Sequence, residues 1–497
     1  MKKVNSNYIE ELQEEFKTCS FTRIENIDGM YITNNINKSL ENDSKIFKET
    51  QIKRALRDQH LSPFVASKVK TKLSYFYPEG NMDLGKIYKF DRVKNLQSEE
   101  YAIQNIGHAT QLIQLPGFNI LTDPVFGSLN WLLYPEKTTS HPSIDDLPMI
   151  DVIVISHNHQ DHVDTHSLEK ILEKHGKNGW SQPQIFVPKG DKKLFETCGF
   201  ENVEEVDWYT KISVNKDING RLKNIHFISI PADHRSGRYL IDHHKSLVTG
   251  WIINPEDENV MFKFSGDTRS LSCENQLAVD AVLWYEIKNK VNKNESDTEI
   301  PDIICLEPSG PNYTRCYMDI THQSTSYSVL LKLIEAENLA KLRSLNQNKF
   351  LEKIKTYIMH HRKFELGPDR FNEGLFVFKK LLIYLDLNEE QLKSELAKQK
   401  EKIQQDFDKE KLKKMLPITS KVSIAALPEN TSLLVHAKDF IITEIISMVS
   451  KNMNREIIKE CLLKNTIFAK IGERLNNKQI ANSRIDITSI SKYNKNK

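Results

Sequence analysis

The chain has 497 residues, 39% of them hydrophobic, enough to bury a substantial core and to form more than one domain. Its 69 basic and 67 acidic residues leave a formal net charge of +2, so bulk electrostatics speak against nucleic acid or an anionic membrane as the defining partner. No apolar run approaches the roughly 20 residues a membrane-spanning helix needs. The polar stretch 1–16 lacks a secretory h-region. The six cysteines (Cys19, Cys198, Cys273, Cys305, Cys316, Cys461) are scattered without a Cys-x-x-Cys pair, as in reduced thiols. A soluble cytoplasmic protein is expected, with its oligomeric state left open.

Residues 1–95 carry no catalytic pattern. Residues 52–69 read as helical with a break at Pro63, and 75–80 as an aromatic turn that packs on the main domain. From Tyr101 the texture changes. Residues 102–105 and 111–115 read as strands flanking Gly107-His108-Ala109-Thr110. After the Pro116-Gly117 turn, 119–122 leads into Asp123-Pro124, which suggests antiparallel pairing at the start of a sheet. For His108 a place near a metal and a structural place are both open, the structural one being commoner for a lone histidine in a Gly-x-Ala turn. Asp123, just past a strand, suits a carboxylate that accepts a ligand histidine's remaining N–H and fixes its tautomer.

Residues 152–155 are an unbroken β-branched run, the pattern of a strand buried on both faces. At its end stand His157, His159, Asp161 and His162, four metal-capable side chains in six positions. Side chains two apart share a face of an extended chain, so His157 and His159 are expected to point one way. The following turn can bring Asp161 and His162 to a second point beside it. Imidazoles and a carboxylate without thiolates suit a borderline divalent ion such as zinc in a hydrolytic site.

Downstream, strands and helices alternate: helix at 165–175, strand at 184–187, helix at 191–197 and strand at 203–208, the texture of an α/β layered domain. Further strands read at 226–230, 247–253, 261–264, 303–306 and 357–359, and a helix at 328–336. Several end in metal-capable residues. His234 follows the strand at 226–230, Asp267 follows Ser265-Gly266, and His360-His361 follow the strand at 357–359, while His243 and His244 sit in a polar turn as decoys. Recurrent ligands at strand ends are what an α/β fold with a site at one sheet edge produces. After residue 386 a narrow apolar stripe (Leu392, Leu396, Ile403, Phe407, Leu412, Met415) marks a charged helix ending near Pro417. A strand at 432–435, an amphipathic helix at 440–463 and a polar tail complete the chain.

The order His-x-His-x-Asp-His, His, Gly-Asp-Thr, His resembles the metallo-β-lactamase superfamily. Gly-His-Ala-Thr at 107–110, Asn-Ile-Leu-Thr-Asp-Pro at 119–124, Asp-Leu-Pro at 146–148 and Ser-His-Asn-His at 156–159 are similar to one of its branches. That branch contains N-acyl-phosphatidylethanolamine-hydrolysing phospholipase D and lactonase-like bacterial relatives. The resemblance covers about residues 100–385 and implies a four-layer αββα sandwich. With it come an N-terminal cap segment at 1–95, a hydrolase domain at 96–386 and a mainly helical extension at 387–497. It implies two zinc ions: one on His157, His159 and His234, the other on Asp161, His162 and His360, with Asp267 bridging. His360 is preferred to His361 because Phe364 lies four residues beyond it, and His322 matches a histidine near the family's metals.

The implied activity is phosphodiester hydrolysis of phospholipase D type on N-acyl-phosphatidylethanolamine-like or other anionic substrates, through a metal-bridging hydroxide. In it Asp161 and Asp267 hold and orient the nucleophile, and His322 assists the leaving group or binds substrate. The alternatives are a lactone or ester hydrolase with the same centre, and a non-catalytic binding protein with a relic site. Small-molecule or lipid substrates, with room for peripheral membrane contact, are the expected partners. The chain departs from the family at Gln160, Arg235 and His361-Arg362-Lys363, where aromatic or small residues are usual. These changes make the mouth of the site more polar and more basic.

Overall fold

The computed structural model describes residues 2–27, 29–31, 100–126, 143–238, 242–268, 271, 273–293, 300–308, 350, 352–359, 378, 381–415, 454–468 and 473–485, together with positions within 328–339 and 443–447. In chain order the described elements begin with β1 (Lys2–Asn5), α1 (Tyr8–Glu15), β2 (Asn26–Ile27) and β3 (Met30–Tyr31). They continue with β4 (Ala102–Gly107), β5 (Thr110–Leu115), β6 (Phe118–Thr122), β7 (Val152–Val154), α2 (Thr165–Lys177), β8 (Gln184–Pro188), α3 (Lys192–Thr197) and β9 (Val203–Val206). Next come β10 (Lys211–Ile218), β11 (Arg221–Pro231), β12 (Thr249–Pro255), β13 (Val260–Phe264), α4 (Cys273–Lys293), β14 (Asp302–Pro308) and β15 (Ile354–Met359). The last are α5 (Glu389–Met415), α6 (Arg455–Asn465), β16 (Thr466–Phe468), β17 (Arg474–Asn476) and α7 (Asn477–Ala481).

Two sheets dominate. One runs β17-β4-β5-β6-β7-β8-β9, the other β1-β10-β11-β12-β13-β14-β15-β16. Each begins antiparallel and becomes parallel at β6 to β9 and at β13 to β16. Parallel neighbours need a crossover, which α2 supplies between β7 and β8 and α3 between β8 and β9. Asp164 caps α2 by accepting from the His166 backbone N–H, and Ser167, Leu168, Ile171 and His175 form its buried stripe at helical spacing.

The alternation of side chains sorts each strand between two cores. Val152, Val154, Phe186, Ile113 and Ile120 face Phe227, Trp251, Ile253, Phe262 and Phe264 in the core between the sheets. Ile153, Ile155, Ile185 and Val187 point the other way, onto Leu168, Ile171 and Phe195 of α2 and α3. On the far side Ile228, Ile252, Met261 and Ile303 meet Ala278, Val282 and Leu283 of α4. The layers therefore run α, β, β, α, as expected. The three-residue β7 is buried on both faces, which explains its lack of polar alternation.

Both chain termini enter the sheets, so strand pairing crosses the boundaries expected at 95/96 and 386/387. β1 pairs antiparallel with β10, and Lys2 reaches over to Glu204 on β9, linking the edges of the two sheets. Tyr8 of α1 is buried and donates its hydroxyl to Glu286 of α4 at 2.7 Å. At the other end β16 extends the eight-stranded sheet beside β15, and β17 pairs with β4. The charged helix after residue 386 is present as α5. The helix expected over 440–463 is described as α6 together with helical residues at 443 and 446–447. Between residues 100 and 386, β10 and α4 had no counterpart in the sequence reading. β10 alternates only weakly, and α4 is apolar over so much of its girth that no single stripe stands out. The features expected at 52–69, 75–80 and 432–435 lie outside the described residues. Among the described residues no helix is long and apolar enough to cross a membrane.

Candidate metal centre

The residues after β7 turn at once into the site. His157 Nε2 lies 2.8 Å from His159 Nδ1, and His234 Nε2 lies 3.3 Å from the same nitrogen. The three rings meet edge to face at centroid distances of 4.5 to 5.0 Å. His234 arrives just past the end of β11, as expected. Beside this trio stands a second group, His108, Asp161, His162 and Asp267, whose ligand atoms all lie within 4.8 Å of one another. His162 Nε2 is 3.1 Å from Asp267 Oδ2, and the His157 and His162 rings are 4.1 Å apart, so the two groups share a wall. These are nitrogen and oxygen donors without a thiolate, converging from separate strand ends. The set fits borderline divalent-ion chemistry.

The supporting shell is built from the words that flank the cluster. Asp123 accepts from the Ser156 backbone N–H at 2.7 Å and from Ser156 Oγ at 2.5 Å. Its Oδ2 faces His162 Nδ1 at 2.6 Å, and a carboxylate can only accept there, so Nδ1 keeps its proton and Nε2 is the nitrogen turned into the site, against Asp267. Ser156 Oγ also lies 2.9 Å from His157 Nδ1. Gly266 passes so close to Ser156 that a Cβ would overlap it, and its φ of +57° places Asp267 at the site.

Protonation follows the same geometry. Burial, reinforced by neighbouring histidines, pushes His157 and His159 well below the ordinary imidazole range, into the neutral form that ligation requires. Burial would lower His162 too, but Asp267 and Asp123 hold it well above that range. For Asp161, burial works upward and is overcome by His108, His162 and His159, which keep the carboxyl well below its ordinary value.

A clamp ties the two ligand loops together. Asn158, between the two histidines, donates to Asp191 at 2.8 Å and to Ser246 at 2.9 Å, and accepts from the Gly237 backbone N–H at 2.7 Å. Arg238 donates to the carbonyls of Asn158 and Val163, and Gln160 donates to the Arg238 carbonyl at 3.2 Å. Gln160 thus has a loop-bridging contact where the family carries an aromatic.

Of the residues expected at the site, the structure brings together His157, His159, Asp161, His162, His234 and Asp267, with Asp123 supporting them. His322, His360 and His361 lie outside the described residues. His243 and His244 join neither ligand group. His108 stands inside the second group, where the sequence reading favoured a structural place. Its signal was the adjoining Gly107, whose φ of 143° precedes a φ of 52° at His108 itself.

Residues 118–283 match a family described as a β-lactamase superfamily domain. This segment of the chain thus carries a β-lactamase superfamily domain. A segment of 166 residues is 35% identical to the mitochondrial N-acyl-phosphatidylethanolamine-hydrolyzing phospholipase D of Saccharomyces cerevisiae, covering 33% of either chain. Another is 34% identical to N-acyl-phosphatidylethanolamine-hydrolyzing phospholipase D 1 of Caenorhabditis elegans over 172 residues, 33% of this chain and 45% of that one. The chain thus matches between a third and a half of the length of these relatives. Igni18, a metallo hydrolase from Ignicoccus hospitalis, is a similar solved structure: 18% identity, TM-score 0.32, covering 56% of this chain and 92% of its own.

Proposed function

We propose that the protein is a dinuclear zinc hydrolase that cleaves anionic phosphodiesters, with N-acyl-phosphatidylethanolamine-like lipids as the leading substrate class. The observation that carries this reading is the pair of donor groups sharing the His157–His162 wall, with Asp267 against His162. His157, His159 and His234 would hold one ion, and Asp161, His162 and His360 the other, with Asp267 serving both. Two such ions supply a nucleophile acidified at neutral pH and neutralise phosphoryl charge. The chain's own residues do the rest. Asp123 and Ser156 keep the histidines in the ligating tautomer, Asp161 and Asp267 orient the reacting groups, and His322 assists the leaving group. Arg235, half-buried next to His234, suits an anionic headgroup. The relatives' names support the lipid class. Four described cysteines (Cys19, Cys198, Cys305, Cys461) are free thiols, which suits the cytoplasm, with peripheral contact at a lipid surface.

The test combines metal analysis with a panel of bis-p-nitrophenyl phosphate, lactones and N-acyl phospholipids. Wild type should hold two zinc equivalents and cleave the phosphodiesters, and Asp267→Ala should lose bound zinc and hydrolysis together. Full zinc occupancy in Asp267→Ala would remove the bridging role. Turnover of lactones alone would replace the phosphodiesterase reading with the ester-hydrolase one, and a loaded protein inert on all three would be a binding protein.

A further inference from the structure

His108, in the turn between β4 and β5, is built into the centre. A register shift between Asn105 and Gly107 re-aims the chain between β4 and β5, and Gly107 and His108 both take positive φ. Two threonines lock that turn to the neighbouring loop. Thr110 Oγ1 donates to the Asp123 carbonyl at 2.7 Å, and Thr122 Oγ1 donates to the Ala109 carbonyl at 2.6 Å. The loop that presents Asp123 to His162 therefore also presents His108 to the same place from the other side. Only 3% of His108 is exposed, its ring meets the His162 ring edge to face at 4.8 Å, and its Nε2 lies 3.3 Å from both His162 Nε2 and Asp161 Oδ2.

The tautomer follows from these neighbours. His162 turns Nδ1 to Asp123 and Nε2 to Asp267, so both of its nitrogens are spoken for by carboxylates. Asp161, as a carboxylate, shows only lone pairs. His108 Nε2 lies against the Asp161 carboxylate, which can only accept, and so carries the proton. Asp161 is thus the acceptor for that proton whether or not His162 is drawn to an ion. A direct bond from His108 to the ion would instead add a protein donor where a catalytic centre keeps a position open.

We infer that His108 is a positioning residue for the second ion, its Nε2–H holding the Asp161 carboxylate in the ligating orientation as Asp123 holds His162. This rests on the dinuclear reading above. The test reads metal affinity rather than turnover. Zinc and cobalt titrations would be run on the full-length wild type, His108→Ala and His108→Gln, whose amide N–H can still donate. His108→Ala should weaken one of two metal equivalents by about 10- to 100-fold and leave the other unchanged. His108→Gln should recover most of that loss. Two unaltered equivalents in His108→Ala would overturn the inference while leaving the dinuclear reading intact. A glutamine variant as weak as the alanine one would overturn it in favour of direct ligation. A wild type that binds no divalent ion would remove the dinuclear reading, and this inference with it.

Discussion

Asp191 carries no metal-ligand signature, yet it anchors the residue between two ligands. Burial pushes its carboxyl up to about 8, against hydrogen bonds from Asn158 and Ser246 that act the other way. The folded protein thus binds this proton more tightly than the unfolded chain, in which an aspartate titrates near ~3.9. The contribution to stability is fully present below that value and is lost as pH rises through about 8. Asp191→Asn keeps an acceptor for Asn158 and abolishes the titration. Its denaturant midpoint should fall less than the wild type's across that window, and parallel pH profiles would show that Asp191 is not protonated in the fold. At this scale the cluster 157–162 was legible because four donors in six positions have few other uses. His108 was not, because a single histidine acquires meaning only from what faces it.

At the scale of elements the site depends on how strands end. β7, β11 and β13 each stop where a ligand is needed, and Gly266 is the tightest of these endings. Its φ of +57° disfavours any side chain, and a Cβ would stand 2.7 Å from Ser156 Oγ, the hydroxyl that joins Asp123 to His157. Gly266→Ala should therefore cost about 2–4 kcal/mol, the sum of a left-handed backbone and an overpacked contact. Metal affinity should fall with it, since Asp267 and Ser156 move together. Equilibrium unfolding beside a zinc titration checks both, and a variant of wild-type stability would show that the two strand ends can separate. Most strands were readable from β-branched runs between turn residues. α4 was not, because a helix buried on most sides loses the period that marks a half-exposed one.

For the whole molecule, the terminal segments are structural parts of the sandwich. Tyr8, Leu12, Ile458, Leu462 and Ile480 are all fully buried. Burial of large apolar side chains is worth about 1.5–3 kcal/mol each, so losing five approaches the whole stability of a domain, ~5–15 kcal/mol. A fragment spanning 96–386 also loses β1, β16 and β17 and bares the edges of β10, β15 and β4. It should be expressed as aggregate, without a cooperative unfolding transition by circular dichroism. A soluble, cooperatively folding fragment would instead support the boundaries expected from the sequence.

The sequence by itself determined the types of donor that converge, the strand-end placement of His157, His159, Asp161, His162, His234 and Asp267, and the layered α/β class. Each of these is written in local spacing: β-branched runs, turn residues and donors within a few positions of one another. Only the tertiary structure decided that the first and last strands of the sandwich come from opposite ends of the chain. It also decided that Asn158 clamps two loops, and that His108 faces Asp161 as Asp123 faces His162. Those pairings join residues tens to hundreds of positions apart, and local patterning carries no trace of which distant partner a buried polar group will meet.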